Sequence, residues 1–334
     1  MKLIVNQWGR YHVSQDVVAE FERAILSDHR VHEISQTNPA AKLLASSVYY
    51  TWRALYEAGY RSSHKAVPDV RRETSDGHNE GYFVVLMGFG QAARKAMPYF
   101  MSVARKSMYV FDAWPQTHDK IKAFVNYWAV DHAFISSSQA TERLSKSDSR
   151  CNFHWIPEGI DPGQYRWYPY EKKDIDVLHL GTGHRRYNAY HERIVEPLRI
   201  NNRVYTCCKV EGQIIFPTRE EFIDGLARSK ISICVPATMT SPERSGDIET
   251  MTARYLQSMV SKCLIVGHAP EEMTRLFGYD PVVEIDMADP AGQLEDILDN
   301  YADHAPLVER NYETVVREHT WKQRWNEIAR VLLE

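Results

Sequence analysis

The chain has 334 residues, of which 44% are hydrophobic and 25% are charged, and its formal net charge is -4. This composition is ordinary for a globular protein and excludes a disordered or fibrous chain, while the length favours two domains of about 150 residues each. Proteins that bind the nucleic-acid backbone normally carry a clear basic excess, so the acidic balance argues against a nucleic-acid partner.

The first half of the chain alternates short apolar runs with amphipathic patterns. Strands are predicted at residues 3–5, 82–87, 108–111 and 133–136, and helices at residues 17–26, 41–55 and 138–144. Residues 61–80 are polar and predict a long loop. The alternation of strand and helix predicts parallel βαβ units.

Turn-forming residues interrupt this pattern at residues 156–163, which read Ile-Pro-Glu-Gly-Ile-Asp-Pro-Gly. We place the domain boundary near this segment, with a hinge at residues 160–170. The prediction is an N-terminal domain at residues 1–165, a C-terminal domain at residues 166–314, and a last helix at residues 315–334 that packs back on the first domain.

The second half restarts the alternation. Strands are predicted at residues 176–180, 204–207, 231–235, 264–266 and 282–285, and helices at residues 219–228, 249–260, 271–277 and 293–301. After Pro306 the chain is predicted to stay helical to its end. The fold class is therefore predicted as α/β, with two doubly wound Rossmann-like domains that face a cleft.

A glycine-containing turn follows the first strand of the second half. Gly181, Thr182 and Gly183 let a ligand approach the backbone at the carboxyl end of the strand, where open α/β sheets bind ligands. Arg185 and Arg186 follow and supply delocalised positive charge suited to a diphosphate. An ordinary turn with solvated arginines explains the same residues equally well.

A second polar segment places Glu249 eight residues before Gln257, across a predicted loop-to-helix junction. If Glu249 ends the loop and Gln257 lies two turns inside the following helix, their backbones would be roughly 12 Å apart. Backbone N–H groups at a helix start bind phosphate, and three residues offer them here: Thr250, Met251 and Thr252. The alternative is structural, with a threonine as the helix cap and Glu249 offsetting the dipole.

These segments together resemble a known family. The linker at residues 156–161 is similar to the V-P-N-G-V-D segment of many glycosyltransferases, and the Glu249-x7-Gln257 spacing precedes an apolar run at residues 263–267. Their order resembles the GT-B glycosyltransferases. Residues 174–183 and 252–257 look most like the group related to spore-maturation glycosyltransferases (family 1/4-like), and the resemblance covers the chain from about residue 108 onward.

The resemblance implies transfer of a sugar from a nucleotide-diphosphate donor, held by the second domain, to a saccharide or glycoconjugate acceptor. Glu249 would lie near the donor sugar and Gln257 near the ribose. Arg185, with Arg186 as the alternative, would neutralise the leaving diphosphate. Lys209 would be a second cation or would contact the base-binding loop. The family usually has glutamate at the position of Gln257, and an amide still accepts and donates hydrogen bonds.

The resemblance also implies a retaining outcome, with no metal and no other cofactor besides the donor. Asp174 and Asp176 have the D-x-D spacing of a metal motif but lie at the start of a strand. If the reaction instead inverts, Asp112 is the candidate base, with His118 behind it, and Trp114 would stack on an acceptor sugar. We therefore take Arg185, Glu249 and Asp112 as the candidate catalytic residues.

Two alternatives share the same donor: a nucleotide-sugar epimerase or hydrolase, and an inactive module that binds nucleotide sugars.

The five cysteines lack metal-ligand spacing and predict reduced thiols. The sequence starts without a signal-peptide pattern and contains no apolar run of about 18 residues. We therefore expect a cytoplasmic enzyme of polysaccharide biosynthesis, and peripheral association with the inner face of a membrane stays open.

Overall fold

The computed structural model describes residues 1–4, 16–34, 39–59, 81–87, 89, 100, 105–147, 149–180, 201, 203–207 and 214–333. Contacts divide these residues into two units. The first is drawn from residues 1–4, 17–157 and 324–333, and the second from Asp16 and residues 158–323. The chain thus passes into the second unit after Pro157 and returns to the first after Gln323.

The described residues of the first unit form a sheet of six strands in the order β2-β1-β3-β4-β5-β6. The strands are β1 Lys2–Ile4, β2 His32–Ile34, β3 Gly81–Met87, β4 Arg105–Phe111, β5 His132–Ile135 and β6 Asn152–Trp155. All neighbouring pairs are parallel. The central strands are continuous apolar runs because a parallel sheet is covered on both faces.

Helices connect these strands, namely α1 Asp16–Leu26, α2 Pro39–Glu57, α3 Pro115–Tyr127 and α4 Ser138–Ser145. Helix α3 begins with Pro115, which has no backbone N–H. The first N–H of a helix has no intrahelical acceptor, so no hydrogen bond is lost there. Helix α4 begins after Ser137, whose side chain accepts a hydrogen bond from the backbone of Ala140. Helix α2 packs on α3 through Trp52 and Phe124, whose rings lie edge to face 5.7 Å apart.

The described residues of the second unit form a sheet of five strands in the order β11-β10-β9-β7-β8. The strands are β7 Ile175–His179, β8 Tyr205–Cys207, β9 Ser229–Cys234, β10 Leu264–Gly267 and β11 Val283–Glu284. These pairs are also parallel. The strand order reverses between β7 and β9, which makes this point the topological switch of the sheet.

The helices of the second half are α5 Arg219–Ala227, α6 Ala237–Thr240, α7 Pro242–Ser245, α8 Ala253–Val260, α9 Glu271–Phe277, α10 Pro290–Asp299, α11 Tyr301–Glu318 and α12 Trp321–Leu333. Two short 3₁₀ helices, Pro162–Gln164 and Tyr170–Lys172, precede the sheet. Helix α5 begins with a full capping box formed by Thr218 and Glu221.

Both faces of the second sheet are covered. Ile231 and Ile233 of β9 pack with residues of α10 and α11 on one face, including Leu294 and Val308. The neighbouring residue Cys234 packs on the opposite face with residues of α8 and α9. Because successive side chains of a strand point to opposite faces, this distribution gives a doubly wound sheet. The α/β prediction with two Rossmann-like domains is confirmed.

Several predicted boundaries differ from the structure. The helix predicted at residues 249–260 begins only at Ala253, so Glu249 lies in the preceding loop. The predicted continuous C-terminal helix is interrupted at residues 319–320, where Ile160 pairs with Thr320 in a β-bridge. The loop predicted at residues 61–80 lies outside the described residues. Three elements were not predicted, namely strands β2 and β6 and helix α3. Both strands are short and lie at sheet edges.

The last helix joins the first unit through Trp325. Its ring packs on Phe83, with centroids 5.8 Å apart, and its indole N–H donates to the carboxylate of Asp28 over 3.0 Å. Upstream, Trp321 belongs to the second unit with the rest of residues 158–323. Across the described ranges, no helix has the length and apolar character needed to cross a membrane.

Candidate active site

The carboxyl edge of the second sheet is where its fold predicts a ligand. In open α/β sheets, ligands bind outside the carboxyl ends of the strands at the switch point. Here that point lies between β7, which ends at His179, and β9, which ends at Cys234. The segment after β9 leads through α6 and α7 to Glu249, and the segment after β10 begins with His268.

The carboxylate of Glu249 is held between the loops that follow two adjacent strands. The hydroxyl of Thr238, in α6 after β9, donates to its Oε1 over 3.1 Å. Nε2 of His268, directly after β10, lies 3.5 Å from its Oε2. The Glu249 side chain is 31% exposed, so a ligand at the sheet edge can reach the carboxylate.

A close backbone contact fixes the position of His268. A Cβ atom on the preceding Gly267 would lie 1.8 Å from the carbonyl oxygen of Cys234, so only glycine fits there. The His268 N–H donates to that carbonyl over 3.0 Å. The phenol of Tyr255 donates to the His268 carbonyl over 2.7 Å. Hydrogen bonds to β9 and α8 therefore fix the backbone of His268.

Two buried carboxylates from other segments accept hydrogen bonds at the start of helix α8. Oε1 of Glu272 accepts from the Met251 N–H over 2.8 Å and from the Thr250 hydroxyl over 2.7 Å. Oε2 of Glu158 accepts from the Ala253 N–H over 2.7 Å. The Met251 N–H, which we expected to bind a donor phosphate, therefore already has a carboxylate partner. Negative side chains here stabilise the positive end of the helix dipole.

Gln257 lies on α8 and is 5% exposed. Its amide group donates from Nε2 to the hydroxyl of Tyr165 over 3.1 Å. Glu249 lies four residues before the helix, so the axial spacing assumed from the sequence does not apply to this pair. The side-chain oxygen of Gln257 can still accept a hydrogen bond.

Six predicted site residues lie outside the described residues: Gly181, Thr182, Gly183, Arg185, Arg186 and Lys209. Strand β7 ends at His179, two residues before this group. The topology thus leads the chain from the switch point directly into the predicted glycine turn.

The first unit also carries a candidate at a carboxyl strand end. Asp112 follows β4 and has a backbone φ of 52°, a left-handed conformation that Asp adopts more readily than most residues. Nε2 of His118 is 2.9 Å from the Ala113 carbonyl, and burial lowers the pKa of this imidazole. His118 and Trp114 are 7% and 5% exposed, so both belong mainly to the core.

The predicted D-x-D pair has structural partners. Asp174 pairs with Arg228 over 2.6 Å, and Asp176 pairs with Lys230 over 2.7 Å. The backbone N–H of Val204 also donates to Asp176 over 2.8 Å. Within the ranges that the structure describes, no group of three or more His, Cys, Asp and Glu side chains could hold a metal ion. Metal independence stays a prediction.

Solved structures with a similar fold cover nearly the whole chain. HepE of Anabaena aligns with a TM-score of 0.58 over 99% of this chain and 98% of HepE, at 10% identity. AviGT4, a glycosyltransferase involved in avilamycin A biosynthesis, aligns with a TM-score of 0.55 over 98% of this chain and 95% of AviGT4, at 14% identity. The chain has the GT-B fold.

The similarity to other known proteins is more limited. TarM aligns with a TM-score of 0.53 over 76% of this chain at 11% identity, and the alignment spans 55% of the length of TarM. HepE has been solved with UDP and glucose and with UDP-glucose. No protein-family model and no curated protein sequence matches the chain. The GT-B fold is therefore established by structure, and the spore-maturation subgroup remains a prediction.

Three residues of the second unit were not predicted from the sequence: Glu158, Glu272 and His268. Glu158 stands in the linker where the family pattern has asparagine, and that difference was a usable signal. Glu272 and His268 gave no such signal. The partners of Glu272 are 21 or 22 residues away, and those of His268 are 16 residues later on β11 and 19 residues earlier in a loop. Contacts of this kind follow from the sheet order, which the sequence pattern does not specify.

Proposed function

We propose that this protein is a glycosyltransferase that moves a sugar from a nucleotide-diphosphate donor to a saccharide or glycoconjugate acceptor. The observation that carries the proposal is the position of the Glu249 carboxylate, partly exposed and held by Thr238 and His268 at the carboxyl edge of the second sheet. A GT-B fold with a fixed carboxylate at this edge suits the binding of sugar hydroxyls.

In this proposal each donor-side residue has its own role. Glu249 accepts hydrogen bonds from the donor sugar, and the Gln257 oxygen accepts from the ribose. Arg185 and Arg186, on the segment after β7, neutralise the diphosphate, with Lys209 as a second cation. Because the Met251 and Ala253 N–H groups already bind carboxylates, the arginines supply most of the positive charge that stabilises the diphosphate.

The chemical step breaks the bond between the anomeric carbon and the diphosphate oxygen. The diphosphate leaves with that electron pair, and preorganised cations that stabilise its charge contribute most to the rate. In the retaining course, the acceptor oxygen attacks from the same face and its proton passes to a phosphate oxygen of the leaving group. No protein base is then required, and no metal is needed to balance the charge.

The inverting course uses the first unit instead. The acceptor oxygen attacks from the opposite face, and a carboxylate must take its proton. Asp112 is the candidate, because it follows a strand at the carboxyl edge and adopts a left-handed backbone conformation. The configuration at the anomeric carbon of the product, read by NMR, distinguishes the two courses.

The decisive experiment screens nucleotide-diphosphate sugars by thermal shift, with UDP-glucose first, and then measures turnover with saccharide acceptors. Ligand binding raises apparent stability according to concentration and affinity. We expect a transferred sugar in the product. Free sugar alone would indicate a hydrolase, an altered donor sugar an epimerase, and tight donor binding without product an inactive module.

Site variants test the assignment. Arg185→Ala and Glu249→Ala should abolish transfer while leaving the circular dichroism spectrum and the melting transition intact. Glu243→Gln is the matched control for the second substitution, since Glu243 is exposed and lies six residues earlier. Wild-type turnover in both Arg185→Ala and Glu249→Ala would contradict the site.

A further inference from the structure

His268 faces a carboxylate with each of its two ring nitrogens. Nδ1 lies 2.9 Å from Oε1 and 3.1 Å from Oε2 of Glu284 on β11. Nε2 lies 3.5 Å from Oε2 of Glu249. The imidazole thus bridges the candidate donor-site carboxylate and a second carboxylate that is 64% exposed.

The protonation state of the ring decides whether both contacts are attractive. A neutral imidazole has one N–H and one lone pair, so it can donate to only one of the two carboxylates. The other nitrogen would then turn its lone pair toward an anionic oxygen. Only the imidazolium satisfies both contacts, with two N–H donors and a positive charge between two negative ones.

The charged groups around the ring act in the same direction. Burial by itself lowers the pKa of His268, but the hydrogen bond and charge of Glu284, together with those of Glu249, outweigh it and raise the pKa above the usual histidine value. The phenol of Tyr255 donates to the backbone carbonyl of His268. Among the described residues, Glu284 and Glu249 are the charged groups that raise this pKa.

Both oxygens of Glu249 have a partner while the ring is protonated. Oε1 accepts from Thr238, and Oε2 faces His268. If the ring loses a proton, the shorter contact to Glu284 retains the remaining N–H, and the Nε2 lone pair repels Oε2 of Glu249. Deprotonation thus replaces an attractive, charged contact at Oε2 of Glu249 with a repulsive one.

We propose that His268 is a positioning residue whose doubly protonated ring orients the Glu249 carboxylate for the donor sugar, and that this support is lost when the ring is deprotonated. Sugar recognition then weakens as the pH rises, and nucleotide recognition does not. This inference rests on the proposed function, because it assigns Glu249 to the sugar of a nucleotide-diphosphate donor.

The first test follows the imidazole of His268 by NMR as the pH is raised. Its midpoint should lie above the ordinary histidine value of about 6.5. Glu284→Gln and Glu249→Gln should each lower the midpoint, since each removes a negative charge beside the ring. A midpoint that neither substitution moves would overturn the proposal without reference to any ligand.

The second test compares the dissociation constants of UDP and UDP-glucose by calorimetry. For the wild type, the preference for UDP-glucose over UDP should fall about tenfold between about pH 6 and about pH 9, because one charged hydrogen bond is lost. His268→Gln retains a neutral donor near the Nε2 position, so the preference should be partly kept and should not depend on pH.

Further variants separate positioning from folding. His268→Asn reaches only the Nδ1 position, so the preference should be lost at every pH. His29→Gln is the control, because the His29 side chain is 93% exposed and lies in the first unit; its profile should match the wild type.

The outcomes are distinguishable. UDP-glucose binding with the same pH dependence in wild type and His268→Gln overturns this inference alone. Absence of binding by both UDP and UDP-glucose contradicts the proposed function for this donor and, with it, the positioning role.

Discussion

The carboxylate of Glu158 accepts a hydrogen bond from the backbone N–H of Ala253 over 2.7 Å. Glu158 is the first residue after the chain leaves the first unit, and Ala253 is the first residue of α8. The side chain is 4% exposed, so little water competes for this contact. A residue of the linker thus fixes the start of the helix that carries Gln257.

Replacing Glu158 should destabilise the second unit. Glu158→Ala leaves the Ala253 N–H without its acceptor and should cost about 1–3 kcal/mol of unfolding free energy. Glu158→Gln keeps an acceptor but loses the charge next to the helix dipole, so its cost should be smaller. Urea denaturation measures both. Glu142→Gln is the control, because Glu142 is exposed and its carboxylate pairs with Lys146 one turn later on the helix surface.

Adding one methyl group at Gly267 should disrupt the candidate site. In Gly267→Ala the new Cβ would lie 1.8 Å from the Cys234 carbonyl oxygen, so β9 and β10 must separate. We expect a loss of about 3 kcal/mol or more in unfolding free energy. Gly163→Ala is the matched control, because its Cβ would meet Asp161 at an ordinary 3.4 Å. Equal melting temperatures for the two variants would contradict the packing argument.

Acid should weaken the attachment of the last helix to the first unit. Hydrogen bonds from Arg30, opposed by burial and joined by one from Trp325, hold the pKa of Asp28 well below its usual range. A depressed pKa stabilises the fold fully above the unfolded value of about 4 and loses that contribution as the pH falls toward the folded pKa. Asp28→Asn should therefore destabilise the protein at neutral pH and converge with the wild type in acid, as followed by urea denaturation.

Chelation should leave transfer unchanged. The proposed reaction stabilises the diphosphate with arginine side chains and assigns no step to a divalent cation. Turnover measured with EDTA should equal turnover without it, and added Mg²⁺ or Mn²⁺ should not raise it. A rate that falls on chelation and returns with Mn²⁺ would contradict this part of the proposal.

The sequence predicted the architecture better than the site. Apolar runs such as residues 82–87 and 264–266 identify buried parallel strands, because such strands are covered on both faces. Strand β6, Asn152–Trp155, escaped prediction since an edge strand with two polar residues lacks that pattern. The predicted start of α8 was too early. Nothing in the polar segment shows that carboxylates from distant parts of the chain bind the N–H groups where the helix begins.

The candidate site depended on contacts that no local pattern encodes. Glu249 was identified through its spacing to Gln257, and its place in a loop at the sheet edge agrees with a ligand-facing position. His268 was not identified, because its two carboxylate partners lie 19 residues before and 16 residues after it in the chain. These three side chains meet only after β9, β10 and β11 align in parallel.

The first unit is discontinuous in sequence, and this affects the order in which the protein can be built. Its sheet is synthesised first, yet Trp325, which packs on Phe83 and binds Asp28, is synthesised only after residues 158–323 of the second unit. Residues 158–323 form a continuous segment whose ends meet where Ile160 pairs with Thr320. During translation the second unit can therefore complete its core before the first, although it is encoded later.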